Sequence, residues 1–183
     1  MSTGKDEKKD LRISRTQHSL MTAMMTLLEK RSFNRITVND LCEVAMVSRT
    51  TFYQHFEDKY DLLRSCLEQI KTVIGEARQE YEFGDLVWAI LDYIEENIKI
   101  FKNLLLKDVN YELLVMLSAI NIEDIKFIIE RRIKEGEDFG VPADILAVFL
   151  AGGIAELLFW WIEKDFPVSK QEMVDFLTQI VKR

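Results

Sequence analysis

The stretch from Thr37 to Leu63 (TVNDLCEVAMVSRTTFYQHFEDKYDLL) constrains the fold more than any other part of the chain. It contains two residues that commonly cap helix N-termini, Thr37 and Ser48, and the acid Asp40 follows Thr37 at the capping-box spacing. Apolar residues at helical spacing follow each cap. The pattern predicts two short helices joined by a tight turn, then the start of a third helix: 38–44, 49–55 and onward from Asp58.

The second of these helices has two different sides. Phe52 and Phe56 lie one turn apart and are expected to face inward. The opposite side carries hydrogen-bond donors and no carboxylate, which suits phosphates and base edges. An ordinary solvated helix face is the alternative interpretation, because polar outer faces are usual in soluble proteins. The outward residues are Arg49, Thr50, Thr51, Tyr53, Gln54 and His55.

The order of these residues resembles the DNA-binding region of the tetracycline-repressor (TetR/AcrR) family of bacterial regulators. The family pattern is roughly T-V-x-x-I-A-x-x-A-G-V-S-x-x-T-[LF]-Y-x-H-F-x-x-K-x-x-L-L. Met46 stands where the family usually has the turn glycine, so a left-handed backbone there would cost about 1 kcal/mol. Cys42 replaces an alanine, and Arg31 replaces a glycine. The residues in register are Thr37, Val38, Leu41, Ala45, Val47, Ser48, Thr51, Phe52, Tyr53, His55, Phe56, Lys59, Leu62 and Leu63.

Composition agrees with an all-α fold. Only 7 Gly and 2 Pro are present, and no alternating strand pattern of useful length occurs. The resemblance implies an N-terminal three-helix helix-turn-helix DNA-binding domain and a C-terminal helical ligand-binding and dimerisation domain, with about nine helices. The expected divisions are a disordered tail at 1–10, the DNA-binding domain at 11–57 and the C-terminal domain at 58–183. The first helix of the C-terminal domain, at 58–81, is expected to connect the two domains.

The charge is distributed unevenly along the chain. The net charge is −7, yet residues 11–56 carry six basic and three acidic side chains, which makes that window +3 and leaves −10 for the rest. A basic head on an acidic body is typical of a DNA-binding unit joined to a domain with another role. Chance asymmetry is the alternative explanation.

The resemblance also implies roles for individual residues. Arg49, Thr50, Tyr53 and Gln54 are expected to contact base edges in the major groove. Arg12 and Arg15 lie near the start of the first helix, where family members often contact phosphate or the adjacent minor groove. The residues expected to contact phosphates are Thr37, Ser48, Thr51, His55 and Lys59.

Residues 145–162 (ILAVFLAGGIAELLFWWI) form an apolar run with one charge, Glu156, which meets a simple transmembrane length test. No basic flank precedes it, Asp144 adjoins it, and the neighbouring helices are amphipathic, so no membrane association is predicted. A helix that is apolar on nearly all sides is buried or packs on a partner. In the family, the last two long helices pair in a dimer. The predicted interface residues are Ile154, Leu158, Trp161, Phe176 and Ile180.

Several aromatic and apolar side chains of the C-terminal domain are candidates to line an effector cavity. Ordinary core packing is the alternative for most of them. The acidic body hints at a cationic ligand, although a solvated surface explains it as well. The candidates are Trp88, Tyr93, Phe101, Tyr111, Met116, Phe127, Phe149 and Trp160.

No catalytic signature is present: there is no nucleophile elbow, no phosphate-binding glycine-rich loop and no paired metal-type histidines. Cys42 and Cys66 are expected to be free thiols in a reducing cytoplasm, and neither a metal nor a cofactor is predicted. The sequence therefore indicates a non-enzymatic protein.

The function implied by the resemblance is that of a cytoplasmic homodimeric transcriptional regulator. It would bind a palindromic double-stranded DNA operator as a repressor and be released by a small-molecule effector of unknown identity. The alternative is a regulator or co-activator of the same fold that is switched by a partner protein. A large enclosed apolar cavity would favour the small-molecule effector.

Overall fold

The computed structural model describes residues 3–76, 83–106 and 111–181. Within these ranges the chain forms nine α-helices and one 3-10 turn and no strand, which confirms the predicted all-α fold. The helices are α1 Thr3–Leu28, α2 Val38–Ala45, α3 Arg49–Tyr53, α4 Lys59–Glu76, α5 Phe83–Glu96, α6 Ile98–Leu105, α7 Tyr111–Lys134, α8 Ala143–Glu163 and α9 Lys170–Val181, with the 3-10 turn at Phe33–Arg35.

The N-terminal head packs α1, α2 and α3 against the first turns of α4. Apolar residues at helical spacing in α1 meet the buried faces of the short helices. The head is therefore held together by a small core contributed by every one of its elements. Its fully buried side chains are Leu20, Met24, Leu28, Phe33, Ile36, Leu41, Phe52, Leu62 and Leu63.

The C-terminal body comprises most of α4 together with α5–α9. Helices α7 and α8 pack along each other, and α5 packs against α9. A direct polar link joins body and head: the side-chain amide of buried Asn103 in α6 donates to the carbonyl of Leu28 at 2.7 Å. Because the last carbonyls of a helix have no partner within the helix, this contact closes the end of α1.

The start of α1 differs from the expected division of the chain. Helix α1 begins at Thr3, so residues 3–10 are helical where a disordered tail was expected. Helix α7 runs through Asn121 without interruption, and the Asn121 side-chain amide donates to the Leu117 carbonyl at 2.8 Å.

Helix α8 is long and apolar enough to cross a membrane by length and composition alone, and 28% of its apolar window is buried within the chain. Its buried residues include Ala147, Leu150 and Ala151, which pack against α7. Trp161 and Ile162 of α8 are also buried, whereas Ile145, Val148, Phe149 and Trp160 are exposed.

Candidate nucleic-acid interface and regulatory cavity

The start of α2 is fixed by the predicted capping box. The Asp40 amide donates to Thr37 Oγ1 at 3.2 Å, and the Thr37 amide donates to Asp40 Oδ2 at 2.8 Å. Arg31 adds an ion pair with Asp40 at 2.8 Å. The hydrogen bonds from Thr37 and the pairing with Arg31 lower the pKa of Asp40 from 3.8 to about 2. Arg31, at a position where the family usually has glycine, thus contributes to this cap.

The turn between α2 and α3 depends on Met46, which adopts the left-handed conformation with φ 55. This is the geometry for which the family uses glycine. The amides of Met46 and Val47 donate to the carbonyls of Glu43 and Cys42 and close α2. The Met46 side chain is 93% exposed, so it contributes little packing energy to offset the backbone strain.

Helix α3 starts at the predicted cap Ser48. Its Oγ accepts from the Thr51 amide at 3.0 Å and lies 2.8 Å from Thr51 Oγ1. Two of the hydroxyls expected to contact phosphates are therefore held in fixed positions at the first turn. Thr37, which is exposed at the start of α2, is a third.

The outward side of α3 matches the prediction. Arg49, Thr50 and Gln54 are exposed, and Tyr53 is 50% exposed, with the Arg49 guanidinium 6.0 Å from the centre of the Tyr53 ring. Phe52, which is fully buried, anchors the helix from below, and the half-buried His55 lies at its end. A short helix thus presents an acid-free, donor-rich side to solvent, suited to the major groove.

Lys59 has a different environment from the one expected. Its Nζ donates to the carbonyls of Phe33 and Ile36 at 3.0 Å each and to that of Asn34 at 3.4 Å, and it lies 4.5 Å from the centre of the Phe33 ring. Burial lowers the pKa of Lys59. The ammonium points inward, towards carbonyls of the 3-10 turn and of its C-cap Ile36, and not outward as the expected phosphate contact requires. The phosphate contact of Lys59 stays a prediction.

A cavity of about 600 Å³ lies between α4, α5, α7, α8 and α9. Of the ligand-site candidates, only Phe127 lines it; the Tyr111 side chain lies outside the described residues. Phe101 and Met116 belong to the main core, and Phe149 is 72% exposed. The Lys170 ammonium lies 4.7 Å from the centre of the Trp88 ring. These four candidates do not line this cavity. Sequence reasoning had no means of combining five helices into one site.

The polar part of the cavity wall was missed entirely by the sequence reasoning. Lys71 of α4 pairs with Asp124 of α7 at 2.6 Å, and Glu68 lies one turn before Lys71 on the same wall. The spacing of Glu68 and Lys71 on one helix face was the available signal. Because the sequence does not show which helix packs against α4, this spacing indicated only a solvated helix surface.

The outward face of α8 is apolar but differs from the predicted dimer interface. Trp161 is fully buried, where its indole Nε1 donates to the Val168 carbonyl at 2.8 Å. Ile154 and Leu158 line the cavity. Because helical neighbours point about 100° apart, the outward aromatic residue is Trp160. The exposed apolar residues of α8 and α9 are Ile145, Val148, Phe149, Trp160, Phe176 and Ile180.

Metal chemistry has no candidate site in the part of the chain that the structure describes: no group of three or more His, Cys, Asp or Glu side chains is placed to hold an ion. Cys42 and Cys66 are buried free thiols. Burial raises the pKa of Cys66 to about 12, which makes it a poor nucleophile.

Family comparisons agree with this geometry. Residues 20–66 match the family described as bacterial regulatory proteins, tetR family, and residues 83–183 match a transcriptional regulator C-terminal region. The chain is thus a helix-turn-helix transcriptional regulator. It belongs to the TetR family, whose members bind DNA and are in general not enzymes, which confirms the resemblance.

Solved structures show the same fold. A TetR transcriptional regulator from Streptococcus agalactiae 2603V has a TM-score of 0.68 and 26% identity, with 97% of this chain and 99% of that chain covered. The dihydroxyacetone kinase operon activator DhaS has a TM-score of 0.58 and 19% identity, with 91% and 93% covered. The second likeness shows the fold alone.

Curated relatives match over shorter stretches. The HTH-type dhaKLM operon transcriptional activator DhaS of Lactococcus lactis subsp. lactis (strain IL1403) is 25% identical over 110 residues, 60% of this chain and 59% of the relative. The HTH-type transcriptional regulator YxbF of Bacillus subtilis (strain 168) is 36% identical over 72 residues, 36% of this chain and 19% of the relative. The match therefore spans less than two thirds of the length of either relative.

Proposed function

We propose that this TetR-family regulator is a homodimeric repressor that binds a palindromic operator through α3 and is released by a small effector bound in the cavity. The observation that carries the DNA contact is the acid-free outer side of α3. Arg49, Thr50, Tyr53 and Gln54 contact base edges in this proposal, while Thr37, Ser48, Thr51 and His55 bind phosphates. A two-fold dimer would contact half-sites about 34 Å apart, or a multiple of that distance.

The dimer rests on the apolar face that α8 and α9 leave uncovered. Phe149 and Trp160 of α8 and Phe176 and Ile180 of α9 are all more than a third exposed in the single chain. Large apolar side chains exposed together on two helices are typical of an association site. A four-helix arrangement of α8 and α9 with those of a second copy would cover it.

The effector is supported by the cavity. Its volume of about 600 Å³ falls in the range of small-molecule sites, and its walls are mainly apolar. An open cavity of this size favours a small effector over a partner protein as the switch. Helix α4 forms one wall with Glu68 and Lys71 and reaches the head at Lys59, so a bound molecule contacts the connector directly.

Selection of genomic DNA fragments with the purified full-length protein tests the proposal. Fluorescence anisotropy on the recovered operator should show about a tenfold or larger loss of affinity for Tyr53→Ala, because one good base contact is worth about 1–3 kcal/mol. Arg49→Ala should also relax sequence preference. Lys134→Ala, an exposed charge on the body, is the matched control and should bind like wild type.

Failure to recover any enriched sequence, or unchanged binding by both α3 variants, would remove the assigned contacts. A reporter placed behind the recovered operator then gives the direction of regulation. The assay must score both directions, because the relative from Lactococcus lactis is named as an activator. Lower expression in the presence of the protein supports repression, and higher expression contradicts it.

A further inference from the structure

Most of the polar side chains that line the cavity lie on one wall. They come from the place where α4 and α7 meet: Glu68, Lys71 and Thr72 from α4, and Asn121 and Asp124 from α7. The walls supplied by α5, α8 and α9 are apolar. A molecule that fits would therefore place an apolar body against these walls and a polar end against the groups of α4 and α7.

The charges on this wall indicate the sign of that polar end. Two carboxylates, Glu68 and Asp124, face a single ammonium, Lys71, which makes the wall −1. Lys71 is occupied, since it binds Asp124 and also donates to the Ile120 carbonyl. Within the described ranges of the chain, no cation lies within ion-pair distance of the Glu68 carboxylate. The group that lacks a partner on this wall is therefore an anion.

The other cation of the cavity is too far along α7 to neutralise this wall. Arg131 lies seven residues after Asp124, about 10 Å along the helix axis. Its guanidinium is near Glu135, with 3.9 Å between Nε and Oε1. The intervening cavity surface on α7 is apolar, with Phe127 and Ile128. The aromatic ring of Phe127 also suits a nearby cation.

We propose that the effector of this cavity is an apolar amine whose ammonium group pairs with Glu68 and Asp124. This inference rests on the proposed effector function of the same cavity. The ammonium competes with Lys71 for the Asp124 carboxylate. Lys71 then loses its ion pair with α7, and the amine loosens α4 from α7 at the end of the connector opposite the DNA-binding head.

Titration calorimetry on the full chain with three matched probes tests the charge requirement. Phenylbutylamine, phenylbutanol and phenylbutyrate share one apolar body and differ in the polar end. The amine should bind about tenfold tighter than the alcohol, and the acid should bind most weakly. Equal affinity for the amine and the alcohol, or tighter binding of the acid, would overturn the proposal.

Variants locate the contact. Glu68→Gln and Asp124→Asn remove the charges without changing side-chain shape, and both positions are exposed, so folding should be unaffected. Each should weaken amine binding about fivefold or more and leave alcohol binding unchanged. Glu123→Gln is the matched control, an exposed acid on the same helix that does not line the cavity. An equal loss in the control, or none in either cavity variant, rejects the site.

Operator binding is measured separately on the same samples. Amine binding that leaves operator affinity unchanged would overturn the regulatory step. A recovered operator with Tyr53-dependent binding but no amine preference would overturn the amine while leaving the DNA-binding proposal intact. Absence of any operator would instead refute the proposed function itself, whatever the calorimetry showed.

Discussion

Lys59 offers the sharpest test of how the head is held together. Its Nζ donates to three carbonyls of the turn between α1 and α2, two of them partly buried. Lys59→Met keeps the length of the side chain and removes the donors. The Phe33 carbonyl keeps the Ile36 amide as a donor, whereas the partly buried Ile36 carbonyl loses the lysine, and leaving a buried acceptor without a partner costs about 1–3 kcal/mol. We therefore expect a loss of about 1–3 kcal/mol in the free energy of unfolding.

Urea denaturation followed by circular dichroism measures this loss. With slopes of about 1–3 kcal/mol per molar urea, the midpoint should fall by roughly 1 M or more. Lys99→Met, on exposed α6 surface, is the matched control and should change stability by less than about 0.5 kcal/mol. The affinity of each variant for the operator is also measured at several salt concentrations.

The two roles considered for Lys59 give opposite results. A turn-capping lysine predicts lower stability and an unchanged salt dependence of operator binding. A phosphate-binding lysine predicts unchanged stability and a salt slope reduced by about one. Wild-type stability of Lys59→Met combined with a reduced slope would refute the reasoning from the structure.

Three further predictions concern separate parts of the molecule. Met46→Gly should raise stability by up to about 1 kcal/mol, because φ 55 costs glycine little, whereas Met46→Ala should stay near wild type. Asp40→Ala should lose about 1–2 kcal/mol at neutral pH, after discounting for solvent screening. Since the folded pKa of Asp40 is about 2 against 3.8 unfolded, its contribution is present above pH 3.8 and disappears towards pH 2, so acid denaturation curves of variant and wild type should converge. Phe149→Glu should shift sedimentation towards the monomer, whereas Val73→Glu, 64% exposed on α4, should not.

The head was predictable because its signals are local. The caps Thr37 and Ser48 fix where α2 and α3 begin, and the one-turn spacing of Phe52 and Phe56 fixes which side is buried. Even the left-handed turn at Met46 follows from its position in the pattern. The inward direction of the Lys59 side chain does not follow from the pattern. The pattern gives the residue type, but a lysine at this position can reach either the carbonyls of the turn or a DNA phosphate.

The body was less predictable because α8 is apolar on almost every side. Apolar and polar residues do not alternate along α8 with the helical period, so its sequence does not show which side is buried. Trp160 and Trp161 are therefore equally good candidates for the core until the positions of α7 and α9 are known. The structure buries Trp161 and exposes Trp160, and it turns Ile154 towards the cavity. One residue along the helix, a rotation of about 100°, therefore separates the buried tryptophan from the exposed one.

The connector α4 physically joins the two proposed activities. Lys59 holds the turn of the head, and Lys71, twelve residues later and about 18 Å along the axis, holds α7 at the cavity. A continuous helix transmits a displacement at one end to the other only if both ends are attached. Lys59→Met should therefore leave binding of phenylbutylamine intact and reduce its effect on operator affinity, because the polar attachment of α4 to the turn of the head is lost while Leu62 and Leu63 remain packed in the head. Amine titrations of operator binding at a temperature where Lys59→Met is fully folded measure this coupling. An undiminished amine effect in that variant would show that α4 does not carry the signal through Lys59.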